Sequence, residues 1–115
     1  MIVRKLDQVP AQVVEMEGVL GATRQLMLGS PDGVPNFSMR VFTLEVGGHT
    51  PRHRHESEHL NFVISGSGSL VDPDGEERPL AAGDFAFVAP DELHQFRNTG
   101  DEPFRFICAV PKEYE

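Results

Sequence analysis

No window of twelve or more residues in this chain keeps a helical spacing of apolar side chains between a helix start and a helix stop. Eleven glycines and nine prolines cut it into short pieces. The pieces between them favour strands: GATRQLML (21–28), FSMRVFTLEV (37–46), HLNFVI (59–64), GSLVD (68–72), DFAFVA (84–89), LHQFRN (93–98) and FRFICAV (104–110). The linking segments have turn chemistry. DPDG at 72–75 offers Pro73 for the restricted φ of a turn and Gly75 for a positive φ, which suits a hairpin between GSLV and EERPL. SPDG at 30–33 is a second turn of the same kind, and SGSGS reads as a flexible or bulged entry to a strand. Many short strands with frequent turns predict an all-β, antiparallel barrel or sandwich.

The chain has 115 residues, enough for one core, and is expected to be a single domain over 1–115. Its formal charge of −8 and its lack of basic patches argue against nucleic acid and anionic membrane as partners. A small molecule is the expected partner. No segment approaches the ~18 apolar residues of a membrane span, and the N-terminus lacks the apolar run of a signal peptide. The single cysteine, Cys108, sits in an alternating strand pattern and reads as a buried thiol. A soluble, cytoplasmic protein is expected.

Against this background the segment RHRHESEHLNFVI concentrates three imidazoles, His53, His55 and His59, just before an apolar strand. In extended backbone His53 and His55 project to one side and Arg52 and Arg54 to the other, with His59 on the histidine parity. His94 lies in a separate strand-like segment. Converging neutral imidazoles suit a divalent transition metal, because each offers one lone pair and can donate its other N–H to a second acceptor. A solvated polar loop is the plainer account of the trio. A zinc-binding helix through HESEH would pair His55 with His59 but leave His53 facing elsewhere. His49, flanked by glycines, reads as an ordinary polar residue. Glu56 and Glu58 read as solvated.

These spacings resemble the cupin family. Its first motif, G-x5-H-x-H-x3-E-x6-G, is matched by Gly47, His53, His55, position 59 and Gly66; its second, G-x5-P-x-G-x2-H-x3-N, by Gly83, Ala89, Asp91, His94 and Asn98. The chain departs from the pattern at Ala89 and Asp91, and at His59, where the family usually has glutamate. The first two departures alter the turn but not the chemistry, since Asp tolerates left-handed backbone better than most residues. The resemblance implies a double-stranded β-helix, a jelly-roll-like barrel. It implies metal ligands His53, His55, His59 and His94, as in a four-histidine, manganese-type subgroup of small bacterial cupins, with two adjacent coordination positions left open. Iron, nickel, zinc or copper would also suit imidazole.

Four neutral ligands leave a divalent ion with a charge of about +2, against about +1 with one carboxylate among them. Such a site attracts a small carboxylate, enolate or dicarbonyl anion. An enzyme that oxygenates, isomerises or decarboxylates such an anion is the leading expectation. The sequence shows no separate general base, so the catalytic residues are unassigned. A metal-containing binding or sensing module without catalysis is the alternative, and a barrel used only as scaffold is a third. Asn61 and Phe96 share parity with His59 and His94 and are expected at the pocket, with Met39 and Val41 as possible walls alongside Phe104 and Phe106. Cupins of this size commonly pair, so a homodimer is expected, with MIVRKL able to cross to a neighbour's sheet edge.

Overall fold

In the computed structural model, which describes residues 1–115, the turn-rich sequence forms nine strands. They are β1 (Gln12–Val13), β2 (Leu20–Leu28), β3 (Phe37–His49), β4 (His59–Ser65), β5 (Ser67–Val71), β6 (Glu77–Ala81), β7 (Phe85–Val88), β8 (Gln95–Arg97) and β9 (Phe104–Pro111). Every pairing is antiparallel. On one side the order runs β1-β2-β3-β9-β4-β7, and on the other β3-β8-β5-β6. β3 belongs to both runs: its first part pairs with β9, and His49 at its end pairs with Arg97 of β8. The result is a curled antiparallel sheet, a half-barrel, as the strand pattern predicted. No helix is long and apolar enough to cross a membrane.

The curl depends on the glycines near the end of β3. Gly47 has φ +79°, and a Cβ on Gly48 would lie 2.9 Å from the main-chain oxygens of Leu20, Gly21 and Glu45. Only glycine allows so close a backbone approach while the strand turns from one side of the barrel to the other. The register against β2 slips at the same place, between Leu20 and Ala22. The motif glycine therefore sends the chain leaving β3 toward the mouth of the barrel, where His53 and His55 follow.

The turns behave as their residues dictate. Asp72 accepts the N–H groups of Asp74 and Glu76, each at 3.0 Å, and Gly75 takes φ +84° to close the β5–β6 hairpin. Ser30–Asp32 forms a single 3-10 turn that ends at Gly33, φ +82°. Asp91 has φ +61°, the left-handed conformation where the family pattern has glycine. Gly66 in SGSGS has φ +79° beside a register slip between Val63 and Ser65, so that entry is bulged. The strand expected over 93–98 is shorter, because its first residues leave the sheet to form an isolated bridge between His94 and His53. β1 is too short to carry a periodic signal.

Alternation along β3 and β9 sets the interior. Leu44, Phe104 and Phe106 point inward and are almost fully buried, packed with Ala22, Val63, Leu80 and Phe96. Burying side chains of this size contributes about 1.5–3 kcal/mol each. Met39 and Val41 stand on the opposite, outer face of β3. Val41 is nonetheless buried: its register partner Gln25 donates through Nε2 to the carbonyls of Leu6 and Val9, which draws the N-terminal segment across that face.

Candidate metal centre

The four motif histidines come from three places in the fold. His53 and His55 lie in the extended segment after β3, His59 opens β4, and His94 precedes β8. His53 and His94 exchange main-chain hydrogen bonds of 3.1 and 3.0 Å, and Asp91 donates its N–H to the His55 carbonyl at 2.8 Å. The backbone thus ties the two motifs together before any side chain is considered. Ring centroids are 5.0 Å apart for His53 and His55, 5.1 Å for His53 and His94, and 5.0 Å for His55 and His94. One ring nitrogen from each of these three falls within 4.8 Å of the others, the placement of a three-histidine metal site. The His59 ring is 4.9 Å from His94 and 5.2 Å from His55.

Hydrogen bonds select which nitrogen faces inward. The Nδ1–H of His55 donates to the Ser57 carbonyl at 2.8 Å, and that of His94 to the Glu92 carbonyl at 2.7 Å. His59 Nδ1–H donates to Asn61 Oδ1 at 2.8 Å, while Asn61 Nδ2 donates to the Ile107 carbonyl, which fixes the orientation of the amide. Each of these rings is left with its lone pair on Nε2, and outer acceptors of this kind are what metal-bound histidines use.

The fit to a metal rests on one contact. His59 Nε2 lies 3.2 Å from His94 Nε2. With both Nδ1 atoms serving as donors, two lone pairs face each other and no hydrogen bond can join them. A cation between them removes the repulsion, and two nitrogens at about 2.0–2.1 Å from one ion are about 3.0–3.4 Å apart. The donor set present therefore fits a divalent transition ion.

Burial keeps the rings neutral. Desolvation, assisted by His94 and His55, lowers the pKa of His53 to about 4. Desolvation likewise lowers His59 to about 3, with smaller contributions from His94, His55 and Arg40 opposed by the Asn61 hydrogen bond. His94 is lowered as well, first by burial. Neutral imidazole is the form that binds metal, so these environments favour ligation at ordinary pH.

The rings open onto a cavity of about 480 Å³. Its walls include Val14, Val19, Phe42, Phe96 and Phe106, with Arg40 and Cys108 on the strand side. Phe96 lines it, 6.0 Å from the His59 ring and 6.3 Å from His94. Asn61 is buried behind His59 and acts on that ring. Met39 and Val41, expected as walls, do not line the cavity: the residues that β3 turns to it are Arg40 and Phe42, because the inward phase of the strand is the even one. Phe106 reaches the cavity, whereas Phe104 belongs to the apolar core. Glu56 accepts a hydrogen bond from Tyr114 at 3.4 Å, and Glu58 is exposed. His49 stands apart from the cluster, half-buried, with Nδ1 near the Thr50 carbonyl and Gln95 Nε2. Sequence reasoning missed Arg40, whose one signal was a cation inside an alternating strand.

A curled antiparallel barrel with a cluster of metal-competent histidines between its edges defines a class of metal-site β-barrels. The family described as the cupin domain matches residues 40–110, and the chain belongs to it. It is 29% identical over 114 residues to an oxalate-binding protein of Thermotoga maritima, covering 96% of this chain and 93% of that one. The structure of the polyketide cyclase RemF from Streptomyces resistomycificus superposes with a TM-score of 0.91 at 31% identity, covering 96% of this chain and 79% of RemF. The polyketide synthase CurC of Streptomyces cyaneus is 29% identical over 109 residues, 89% of this chain and 70% of CurC.

Proposed function

We propose that His53, His55, His59 and His94 together hold one divalent transition metal ion, and that the protein is a metal-dependent enzyme acting on a small oxygenated anion. The observation that carries this reading is the 3.2 Å approach of two lone-pair nitrogens, one from each cupin motif, on the wall of a cavity. Manganese is the first ion to test, as the four-histidine resemblance suggests, with iron, nickel, zinc and copper as the others that imidazole accepts. The bound ion would supply Lewis-acid polarisation of a substrate oxygen.

This chain's own residues do the rest. Ser57, Asn61 and Glu92 hold three imidazoles in the ligating tautomer. Phe42, Phe96 and Phe106 keep water from the cavity wall. Four neutral ligands leave the ion's full charge of about +2, which favours an anionic guest. The printed names of the relatives supply two branches of that class: oxalate is a dicarboxylate, and a polyketide carries 1,3-dicarbonyl units whose enolates are anions. Oxygenation, isomerisation and decarboxylation all begin from such a polarised oxygen.

One observation favours a binding module without catalysis: Glu15 is the only carboxylate on the cavity wall, so a dedicated carboxylate base is lacking at the histidines. Elemental analysis of untagged protein, followed by turnover assays on carboxylates and 1,3-diketones, separates the readings. About one equivalent of metal with turnover lost in His59→Ala supports the enzyme. Full metal loading with binding but no turnover across the panel supports the module.

We further infer a cytoplasmic homodimer. Cys108, the only cysteine, is a buried free thiol. Leu60, Phe85 and Phe87 form an exposed apolar strip across β4 and β7 that a second copy would cover. Sedimentation of a lone monomer at micromolar concentration would remove the dimer.

A further inference from the structure

The cavity holds one charged group that neither the fold nor the histidine cluster explains. Arg40 lies on the inner face of β3, level with Cys108 of β9 and, one strand further, Asn61 of β4. Its Nη2 donates to Cys108 Sγ at 3.0 Å, its guanidinium carbon sits 4.9 Å from the centre of the Phe42 ring, and its buried Nε has no acceptor. Ion pairs elsewhere use Arg4, Arg78 and Arg97; Arg40 takes part in none. Burial raises the pKa of Cys108, so its sulfur is a neutral and weak acceptor, not a counter-charge. Arg24, also on the cavity wall, already donates to the main-chain oxygen of Glu115 at 3.2 Å.

A guanidinium carries five N–H donors and keeps its charge in a protein. Here a half-buried cation sits on the cavity wall with one weak acceptor and no carboxylate in an ion pair with it; Glu15, the one carboxylate of the wall, is exposed and pairs with no arginine. Burying a charge in this way is unfavourable unless something supplies the opposite sign. A row of aromatic rings lines the same cavity: Phe42 and Phe106 stack with centroids 5.8 Å apart, Phe106 and Phe96 at 4.4 Å, and Phe96 is 6.0 Å from His59. Arg40 and the histidines thus share one cavity, two anion-attracting groups on a partly aromatic wall.

We propose that Arg40 is a second anchor for the substrate, and that the natural ligand is a bifunctional oxyanion with one oxygen function at the histidines and a second carboxylate or enolate paired with Arg40. This rests on the metal-dependent reading of the site and narrows its substrate class. A monoanion bound at the histidines leaves Arg40 without an acceptor; a dianion satisfies both ends, and a guanidinium can meet a carboxylate with two parallel N–H donors. Arg40 is then a specificity-determining residue.

The test titrates metal-loaded protein by calorimetry with three pairs of equal carbon number: propionate and malonate, butyrate and succinate, valerate and glutarate. At least one dicarboxylate is expected to bind about tenfold or more tightly than its monocarboxylate partner. Arg40→Gln should abolish that preference while leaving metal content and monocarboxylate affinity within about twofold. Arg40→Lys, which keeps the charge but not the fork, should reduce the preference severalfold and serves if the glutamine variant does not fold. Equal binding of both classes by the wild type, an undiminished preference in Arg40→Lys, or a parallel loss of both classes in Arg40→Gln overturns the proposal. If the wild type binds both classes equally and only when metal-loaded, the metal-site reading survives and Arg40 alone loses its role. If it binds neither class, both fall.

Discussion

The two ends of the barrel interior are built from the same alternating strands and reach opposite outcomes. At the closed end Leu44, Val63 and Phe104 leave at most 1% of their surface exposed, and the inward side chains themselves complete the packing. At the other end the inward positions carry His59, His94 and Arg40, and the space among them stays open as a cavity. Apolar groups satisfy one another by contact, whereas imidazole lone pairs and a guanidinium need a cation and an anion. The first end is finished by folding; the second, on the proposed reading, is finished by ligands.

Each end can be broken separately. Phe104→Ala empties the closed end and should lower stability by about 3–5 kcal/mol, equally with and without metal, as read by denaturant unfolding. Saturating metal should act only on the open end, raising stability by about 2.7–4.1 kcal/mol at 100 to 1,000 times its dissociation constant. That gain should disappear in His94→Ala, whose metal-free stability should change much less.

Acid comes next in size. The folded-state pKa values of His53 and His59 lie below the ordinary 6.5, at about 4 and about 3. Between 6.5 and those values the unfolded chain binds protons that the folded chain does not, so metal-free protein should lose stability as the pH falls from 6.5 toward 4. The slope is at most about 1.4 kcal/mol per pH unit for each histidine. A flat melting profile over that range would show that the rings are solvated. Asn61→Leu removes the acceptor of His59 Nδ1–H and should weaken metal binding about 10–100-fold by competition titration, with no comparable loss from Phe96→Leu. The smallest effect belongs to Met39→Ala, a change on the outer face expected to leave metal affinity unaltered and stability within about 0.5 kcal/mol.

Much of the scaffold was legible because turn residues and alternation are local signals. Pro73 and Gly75 announced the β5–β6 hairpin, and Asp91 was recognisable as a residue able to take the left-handed backbone it adopts. The histidines were legible through spacing, since Gly47, His53 and His55 sit in one short segment and the resemblance supplied His94. The phase of β3 was not. Phe37, Met39 and Val41 are apolar on one parity, Phe42 and Leu44 on the other, and alternation alone does not say which side faces in when both are apolar. The tie from Gln25 to Leu6 and Val9, which buries Val41 on the outside, joins segments that no short window contains.

By itself, then, the sequence determined the strand-and-turn character, the barrel family and the set of imidazoles, because each depends on residue type and near spacing. Only the tertiary structure decided that His59 Nε2 meets His94 Nε2, that Asn61 serves His59, and that Arg40 shares their cavity without an ion-pair partner. Those facts depend on which strands become neighbours. Pairing across β3, β9 and β4 is a property of the closed sheet, and it sets Arg40, Cys108 and Asn61 side by side although they lie dozens of residues apart along the chain.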